Sequence, residues 1–454
     1  MTVKHNHQKY QSLSSEYPFF EYQSYSFFLK NGNLEAEYCF NLADKYLFKP
    51  TIKIPIRKFY TLDETKIGHF SNFVFHIGMV ELISYWKAAC PPKVIIRPHN
   101  LDDKQIAWWK KLYFLGLGEF FYLNNITTDE NSFMSIFSHG EKINSSNLKL
   151  DADRVIVPIG GGKDSVVTLE LLTKSIKKVI PMIINPREAS IATIETAGYN
   201  RDQSIIINRK IDGKLLELNE LGFLNGHTPF SAIVAFTGVL SCAISGVANI
   251  ALSNESSANQ STVPGSKINH QYSKTFEFEY DFDWYIKKYI HPGINYFSFL
   301  RPVNELQIAK MFSKYSEYFS SFKSCNVGSR TDSWCGECPK CLFTYIILCP
   351  FIAPDKLVYI FGKDLMNEIS LSETFKELTG VSDVKPFECV GTPDEVLAAL
   401  WKFSQQYQNN PVLLKEMELF DYKEIDYNKL ISEYNTEHLI PEEFEIILKN
   451  VLND

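Results

Sequence analysis

Three glycines, a lysine, an aspartate and a serine run unbroken from Gly160 to Ser165, between an apolar stretch, VIVPI, and a helix-like one, VVTLELL. This order of residue types suits a polyphosphate. At a strand-to-helix junction, free amide N–H groups and the helix dipole favour an anion. Gly160, Gly161 and Gly162 let the backbone close on phosphates, Lys163 adds charge, Asp164 can hold Mg²⁺ and Ser165 can donate a hydrogen bond. The string is not a Walker A loop, because Asp164 follows Lys163 where Ser or Thr is required and Val157 stands in place of the first glycine. Nor is it the dinucleotide fingerprint, since Ser165 takes the place of the third glycine.

A second constellation is made of thiols. Of nine cysteines, Cys325, Cys335, Cys338 and Cys341 are spaced C-x9-C-x2-C-x2-C, and such a set can wrap one tetrahedral Zn²⁺. The same spacing also suits reduced, partly buried thiols without metal. Cys39, Cys90, Cys242 and Cys349 read as core residues. Three polar clusters follow the glycine loop: NGHTP at 225–229, SNESSAN at 253–259 and INHQYSK at 268–274. SNESSAN directly follows a strand-like NIALS, and ligands gather at the carboxyl ends of strands in open α/β sheets. Glu255 is therefore expected as a second Mg²⁺ ligand, with Asn254 beside it at the nucleotide.

GGGKDS resembles the PP-loop, SGGxDS, of the N-type ATP pyrophosphatases, which include GMP synthetase, NAD synthetase and 7-cyano-7-deazaguanine synthase. Gly160 stands where that motif has its first serine, which removes one hydroxyl donor and leaves the role to backbone amides. The cysteine cluster, with Gly336 and Pro339 inside its turns, resembles the zinc site of the deazaguanine synthases. Four full ligands leave no open position, so such a zinc would be structural. Other segments extend the likeness: SYWKAACPP at 84–92, GLGEFFY at 116–122, YFSFLRPVNEL at 296–306, WCGECPKC at 334–341 and KPFECVG at 385–391. Together with the loop and the polar clusters, they resemble the ATP-dependent UDP-N-acetylmuramoyl-L-alanyl-L-glutamate epimerases of peptidoglycan precursor synthesis, over about residues 20 to 400.

That resemblance implies an adenine nucleotide α-hydrolase-like fold, ATP with Mg²⁺, a UDP-MurNAc-dipeptide substrate and an acyl-adenylate mechanism. The chemistry is coherent, because a carboxylate's α-proton is hard to remove beside an existing negative charge, whereas the neutral carbonyl of an adenylate can delocalise the carbanion. Lys163, Asp164 and Ser165 would serve the pyrophosphate. His227, His270, Lys274 and Cys389 are the acid/base candidates, with His270 and His227 preferred. Lys87 and Arg301 are candidates to meet the substrate's carboxylates or UDP phosphates. Two rivals stay open. One is an amide- or nitrile-forming synthetase of the deazaguanine type; the other is a tRNA-modifying thiolase or a protein that binds ATP without catalysis.

The elements that must position these residues read as an α/β protein with a doubly wound parallel sheet, an α+β N-terminal domain and a helical C-terminal region. Residues 25–55 are β-rich, with Asn31-Gly32 as a hairpin signal. A helix over 70–90, a strand over 93–97 and a helix over 103–115 follow, and a polar connector at 145–153 marks a boundary near residue 150. Strand 155–159, helix 165–175 and strand 179–184 make one βαβ unit. The nucleotide domain is expected over 151–348 and the helical region over 349–454, with amphipathic helices at 394–406 and 441–452.

At 454 residues the chain is long enough for two or three cores. Its net charge of −7 argues against nucleic acid as a partner, because no positive field collects a phosphate polymer. Residues 225–254 carry no Asp, Glu, Lys or Arg, yet glycines and hydroxyls split them into a helix over 231–245 and a strand over 249–253 rather than a membrane span. The basic first ten residues lead into no signal-length apolar run, so a reducing cytoplasm is expected.

Overall fold

Asn31 and Gly32, with φ of 50° and 78°, form the two-residue turn that their sequence signals. They join β1 (Phe19–Lys30) to β2 (Asn33–Leu42) in an antiparallel hairpin running from Lys30↔Asn33 to Phe20↔Leu42. The structure is a computed structural model that describes residues 3–56, 64–176, 178–406, 411–417 and 425–453. The remaining strands are β3 (Tyr46–Phe48), β4 (Thr51–Pro55), β5 (Lys93–Ile96), β6 (Ser135–Ser138), β7 (Asp151–Pro158), β8 (Val179–Ile184), β9 (Ile205–Lys210), β10 (Val247–Leu252) and β11 (Asn295–Ser298). The chain divides into two compact units: Met1–Ile156, Asp202–Ile250 and Glu277–Tyr296 form the first, and Val157–Arg201, Ala251–Phe276 and Phe297–Asp454 the second.

The first unit is mixed α/β. Its sheet runs β6-β5-β1-β2-β4-β9, with β3 on β2. The β1–β5 and β5–β6 pairs are parallel, while β1–β2, β2–β4 and β4–β9 are antiparallel. β9 lies more than a hundred residues beyond β4 in sequence and pairs with it through Thr51↔Lys210 to Lys53↔Asn208. β10 runs parallel to β7. Helix Ser71–Trp86 is mostly apolar with no single polar face, and from Asn72 to Trp86 every residue is buried, as in a core helix.

The charge-free stretch folds as helix Phe230–Ser245 followed by β10. Its hydroxyls need no outside partner: Thr237, Ser241 and Ser245 donate to the carbonyls of Ile233, Thr237 and Ser241, four residues back, at 2.7–2.8 Å. Gly246, at φ 66°, ends the helix in the left-handed conformation that glycine adopts freely. No helix among the described residues is long and apolar enough to cross a membrane.

The second unit contains β8 and most of the later helices. Helix Pro393–Ser404 begins where Thr392 caps it, with Glu395 completing the capping box and Pro393 at the first position. Helix Glu442–Asn453 closes the chain with three glutamates in its first turn, favourably placed for the helix dipole.

Close packing of helix Ser71–Trp86 on β1 depends on one missing side chain. A Cβ at Gly78 would fall 2.0 Å from the Tyr22 hydroxyl oxygen, and Tyr22 is itself fully buried. Gly78→Ala is accordingly expected to destabilise the protein by about 1–3 kcal/mol through overpacking, despite the better helix propensity of alanine. The midpoint of urea unfolding checks this; an unchanged or raised midpoint would contradict the packing described.

Candidate active site

β7 ends at Pro158 and helix Lys163–Ser175 begins five residues later, leaving a short glycine loop between them. Its entry is fixed by the Ile159 amide, which donates to the carbonyl of Met182 within β8 (2.8 Å). Gly161 has φ 87°, and a Cβ there would meet the Ser190 nitrogen at 2.9 Å and the Ala189 carbonyl carbon at 3.0 Å. Both facts demand glycine. The Gly161 carbonyl accepts from the Lys323 amide (2.8 Å). Gly162 is the extended N-cap and brings no side chain to the first-turn amides, while the Ser165 hydroxyl turns back to the Gly162 carbonyl (2.9 Å). A helix N-terminus left open in this way is suited to an anion. Around Gly160 there is room: a Cβ would touch nothing within 4 Å.

Beneath the loop lies a knot of charge. Lys163 is buried, and its ammonium donates to the carboxylates of Asp164 and Glu305. Carboxylate oxygens of Asp164, Glu255 and Glu305 all lie within 4.8 Å of one another, a grouping that could hold a metal ion. Burial pulls the Lys163 ammonium down, but the two carboxylates outweigh it and hold the group above its ordinary value. For Glu305, burial dominates and Asp164, Glu255 and Glu395 add to it, so the carboxyl sits well above the usual range despite Lys163. Glu255 is raised by burial and Asp164 against the opposing pull of Lys274. The cavity that these residues line also carries Lys274, Ser324, Lys340, Thr344 and Cys389.

The expected site residues divide between the two units. Lys163, Asp164, Glu255 and Lys274 share one cavity, and Ser165 stands in the first turn of the helix that carries Lys163 and Asp164. Asn254 is buried and donates to the Ser298 hydroxyl (3.0 Å). Lys274 donates to Cys389 Sγ (3.3 Å), and the His270 amide donates to the Thr262 hydroxyl (3.0 Å). His227 belongs to the first unit, where its Nδ1 lies 3.4 Å from the Glu119 carboxylate. Lys87, also in the first unit, donates to the Gly226 carbonyl and is lowered to about 8 by burial. Arg301 is fully buried, and its guanidinium donates to the main-chain carbonyls of Glu255 (2.6 Å) and Lys274. It thereby holds the loop that presents Glu255.

The four clustered cysteines meet in the second unit. Cys325 and Cys338 sulfurs are 3.7 Å apart, Cys335 and Cys341 3.7 Å, and Cys338 and Cys341 3.5 Å. These separations are far beyond a disulfide bond of about 2.05 Å, and match the edge of about 3.7 Å that four sulfurs make around a centre 2.3 Å away. The Gly328 amide points at Cys325 Sγ (3.1 Å), and Cys338 is the N-cap of helix Pro339–Leu348.

Glu305 was absent from the residues expected at the site. Its local signal is the capping box of helix Glu305–Phe312, in which Asn304 and Gln307 satisfy each other's amides; that signal announces a helix start but no catalytic carboxylate. Lys340 was also missed, since within WCGECPKC the cysteines draw the reading.

An open helix N-terminus above a buried knot of carboxylates and lysines is the layout of an α/β enzyme that handles charged groups. Residues 11–299 match the MurL N-terminal domain family and residues 320–425 the MurL C-terminal domain family. The chain belongs to the MurL family. Curated relatives named UDP-N-acetyl-alpha-D-muramoyl-L-alanyl-L-glutamate epimerase come from Salinispora tropica (31% identity, 87% of each chain) and Micromonospora sp. (32%, 86% of this chain and 87% of the relative). Another so named, from Xanthomonas oryzae pv. oryzae, is 35% identical over 71% of this chain and 72% of its own.

Glu305 is held in place by a second buried carboxylate. Glu395 accepts from the Glu305 amide (2.8 Å) and from the Thr392 amide. Glu395→Ala removes both acceptors and is expected to lower stability by about 1–3 kcal/mol. Glu395→Gln, which keeps one carbonyl oxygen, should cost less. Denaturant titration of the two variants tests the order, and equal losses would argue against a direct role for the carboxylate.

Proposed function

We propose that this chain epimerises the terminal L-glutamate of UDP-N-acetyl-α-D-muramoyl-L-alanyl-L-glutamate to D-glutamate, activating its α-carboxylate with ATP in the manner of an ATP pyrophosphatase. The observation that carries the reading is the glycine loop itself: an open helix N-terminus with Lys163, Asp164, Glu255 and Glu305 directly beneath it. Three relatives bearing the epimerase name support the substrate.

In this mechanism the amides of Gly161, Gly162 and the first helical turn would hold the triphosphate of ATP, whose α-phosphorus is the electrophile. The substrate carboxylate attacks that phosphorus, pyrophosphate departs, and an acyl adenylate forms. Amide dipoles and Lys163 stabilise charge on the departing pyrophosphate by fixed position. The acyl carbonyl, now neutral, accepts the electron pair left when the α-proton is removed; reprotonation from the other face and hydrolysis give D-glutamate and AMP. The three carboxylates fit a divalent cation, since burial raises Glu255 and Glu305 and Asp164 adds to both, a cost that a cation would relieve. Bound there, Mg²⁺ would supply charge neutralisation of the polyphosphate. The tetrahedral fit of the four sulfurs supports a structural zinc, which would hold the segment bearing Ser324 and Lys340.

Incubating the protein with ATP, Mg²⁺ and the UDP-sugar dipeptide in D₂O should yield D-glutamate deuterated at Cα together with stoichiometric AMP. Formation of AMP only when ammonia is added would instead select an amide- or nitrile-forming synthetase. Lys163→Ala and Asp164→Ala should each reduce AMP release by on the order of 100-fold or more.

Elemental analysis of the purified protein should find about one zinc per chain, falling sharply in Cys338→Ser, with a lower melting temperature after chelation. A metal-free wild type that melts at the same temperature would remove the zinc from this account.

A further inference from the structure

The cavity is lined by a thiol with unusual company. Cys389 Sγ lies 3.3 Å from Lys274 Nζ, and both side chains line the same cavity as Asp164, Glu255 and Glu305. Residues 385–391, which carry Cys389, are tied down on several sides. The Lys385 ammonium donates to Gln260 Oε1 (2.8 Å) and the Gly391 carbonyl (3.3 Å), and Gln271 Nε2 reaches the Val390 carbonyl (3.4 Å). The sulfur is therefore held against Lys274 by its own loop and by the loop that carries Lys274.

The other isolated thiols differ. Cys90, Cys242 and Cys349 are buried, and burial pushes each of them up. At Cys389 burial acts the same way, but Lys274, Lys340 and His270 outweigh it and hold the thiol well below its ordinary value. A thiol biased toward its ionised form, lining this cavity and outside the four-cysteine cluster, is suited to act as a base or nucleophile.

We propose that Cys389 is the catalytic base that removes the α-proton of the activated acyl group, with Lys274 as its positioning residue. The assignment rests on the adenylation reading above. A lone pair on sulfur takes the proton from Cα and an S–H bond forms; the C–H electron pair moves into the acyl carbonyl and leaves an enolate. A proton from water, delivered to the opposite face of Cα, restores a C–H bond with inverted configuration as the enolate collapses. The thiol then returns its proton to solvent, so one proton leaves, one enters, and no oxidant or reductant is required.

Two partial reactions of the full-length protein separate this role from the rest. Exchange of labelled pyrophosphate into ATP in the presence of the UDP-sugar dipeptide reads activation, and deuterium incorporation at Cα in D₂O reads proton transfer. Cys389→Ala is expected to keep pyrophosphate exchange within about threefold of the wild type while losing deuterium incorporation by on the order of 100-fold or more. Lys274→Met should slow deuterium incorporation and Lys274→Arg restore part of it. Deuterium incorporation at the wild-type rate in Cys389→Ala would overturn the proposal and move the role elsewhere, with His270 next to be tested. Loss of both reactions in folded Cys389→Ala and Cys389→Ser would also overturn it, since a group confined to proton transfer leaves activation intact. If the wild type itself gives no substrate-dependent exchange, the adenylation reading has failed and this proposal falls with it.

Discussion

A lysine buried among carboxylates is the constraint around which the second unit is arranged. Lys163 stays charged out of water because Asp164 and Glu305 pair with it, and Lys163 in turn opposes the burial that raises Glu305. Taking such a group out of water costs several kcal/mol per ion, and mutual attraction repays this only when geometry is held closely. Much of the surrounding hydrogen bonding serves that geometry. Asn304 and Gln307 fix the start of the helix that carries Glu305, and Glu395 binds its amide.

The same helix start is strapped from the far end of the chain. Asn304 Nδ2 donates to the Leu430 carbonyl (2.7 Å), Gln307 Nε2 to the Glu433 carbonyl (2.9 Å), and the Asn435 amide to the Pro302 carbonyl (2.8 Å). In the sequence these residues carry no signal beyond helix formation. Their backbone carbonyls satisfy the side chains of the capping residues, so a carboxylate at the site is anchored by chain more than a hundred residues away.

What was legible in the sequence was local. GGGKDS announces its loop because glycines, charge and the switch from strand to helix are contiguous; Asn31-Gly32 announces its turn for the same reason. The helix expected over 231–245 is found at Phe230–Ser245, and its hydroxyls, which argued against a membrane span, are bonded within the helix. Glu305 was not legible as part of the site, nor was the contact between Lys274 and Cys389, each an acid/base candidate by itself, because both contacts join segments far apart in the chain. Glu305 meets Lys163 across 142 residues and Lys274 meets Cys389 across 115. The antiparallel β4–β9 pair was hidden likewise, since neither strand's alternation of side chains records its neighbour.

The thiol cluster and the charged cavity are separate in chemistry but continuous in chain. Ser324 precedes Cys325, Lys340 lies between Cys338 and Cys341, and Phe343 and Thr344 follow on the helix that Cys338 caps; all four of these flanking residues line the cavity. A short, irregular segment such as 324–338 has little apolar surface with which to fix its own backbone. Drawing its three sulfurs to one point with that of Cys341 replaces that missing core, and the wall of the cavity follows from it. Disruption at the cysteines would therefore reach the chemistry through Ser324 and Lys340 before it unfolded the unit.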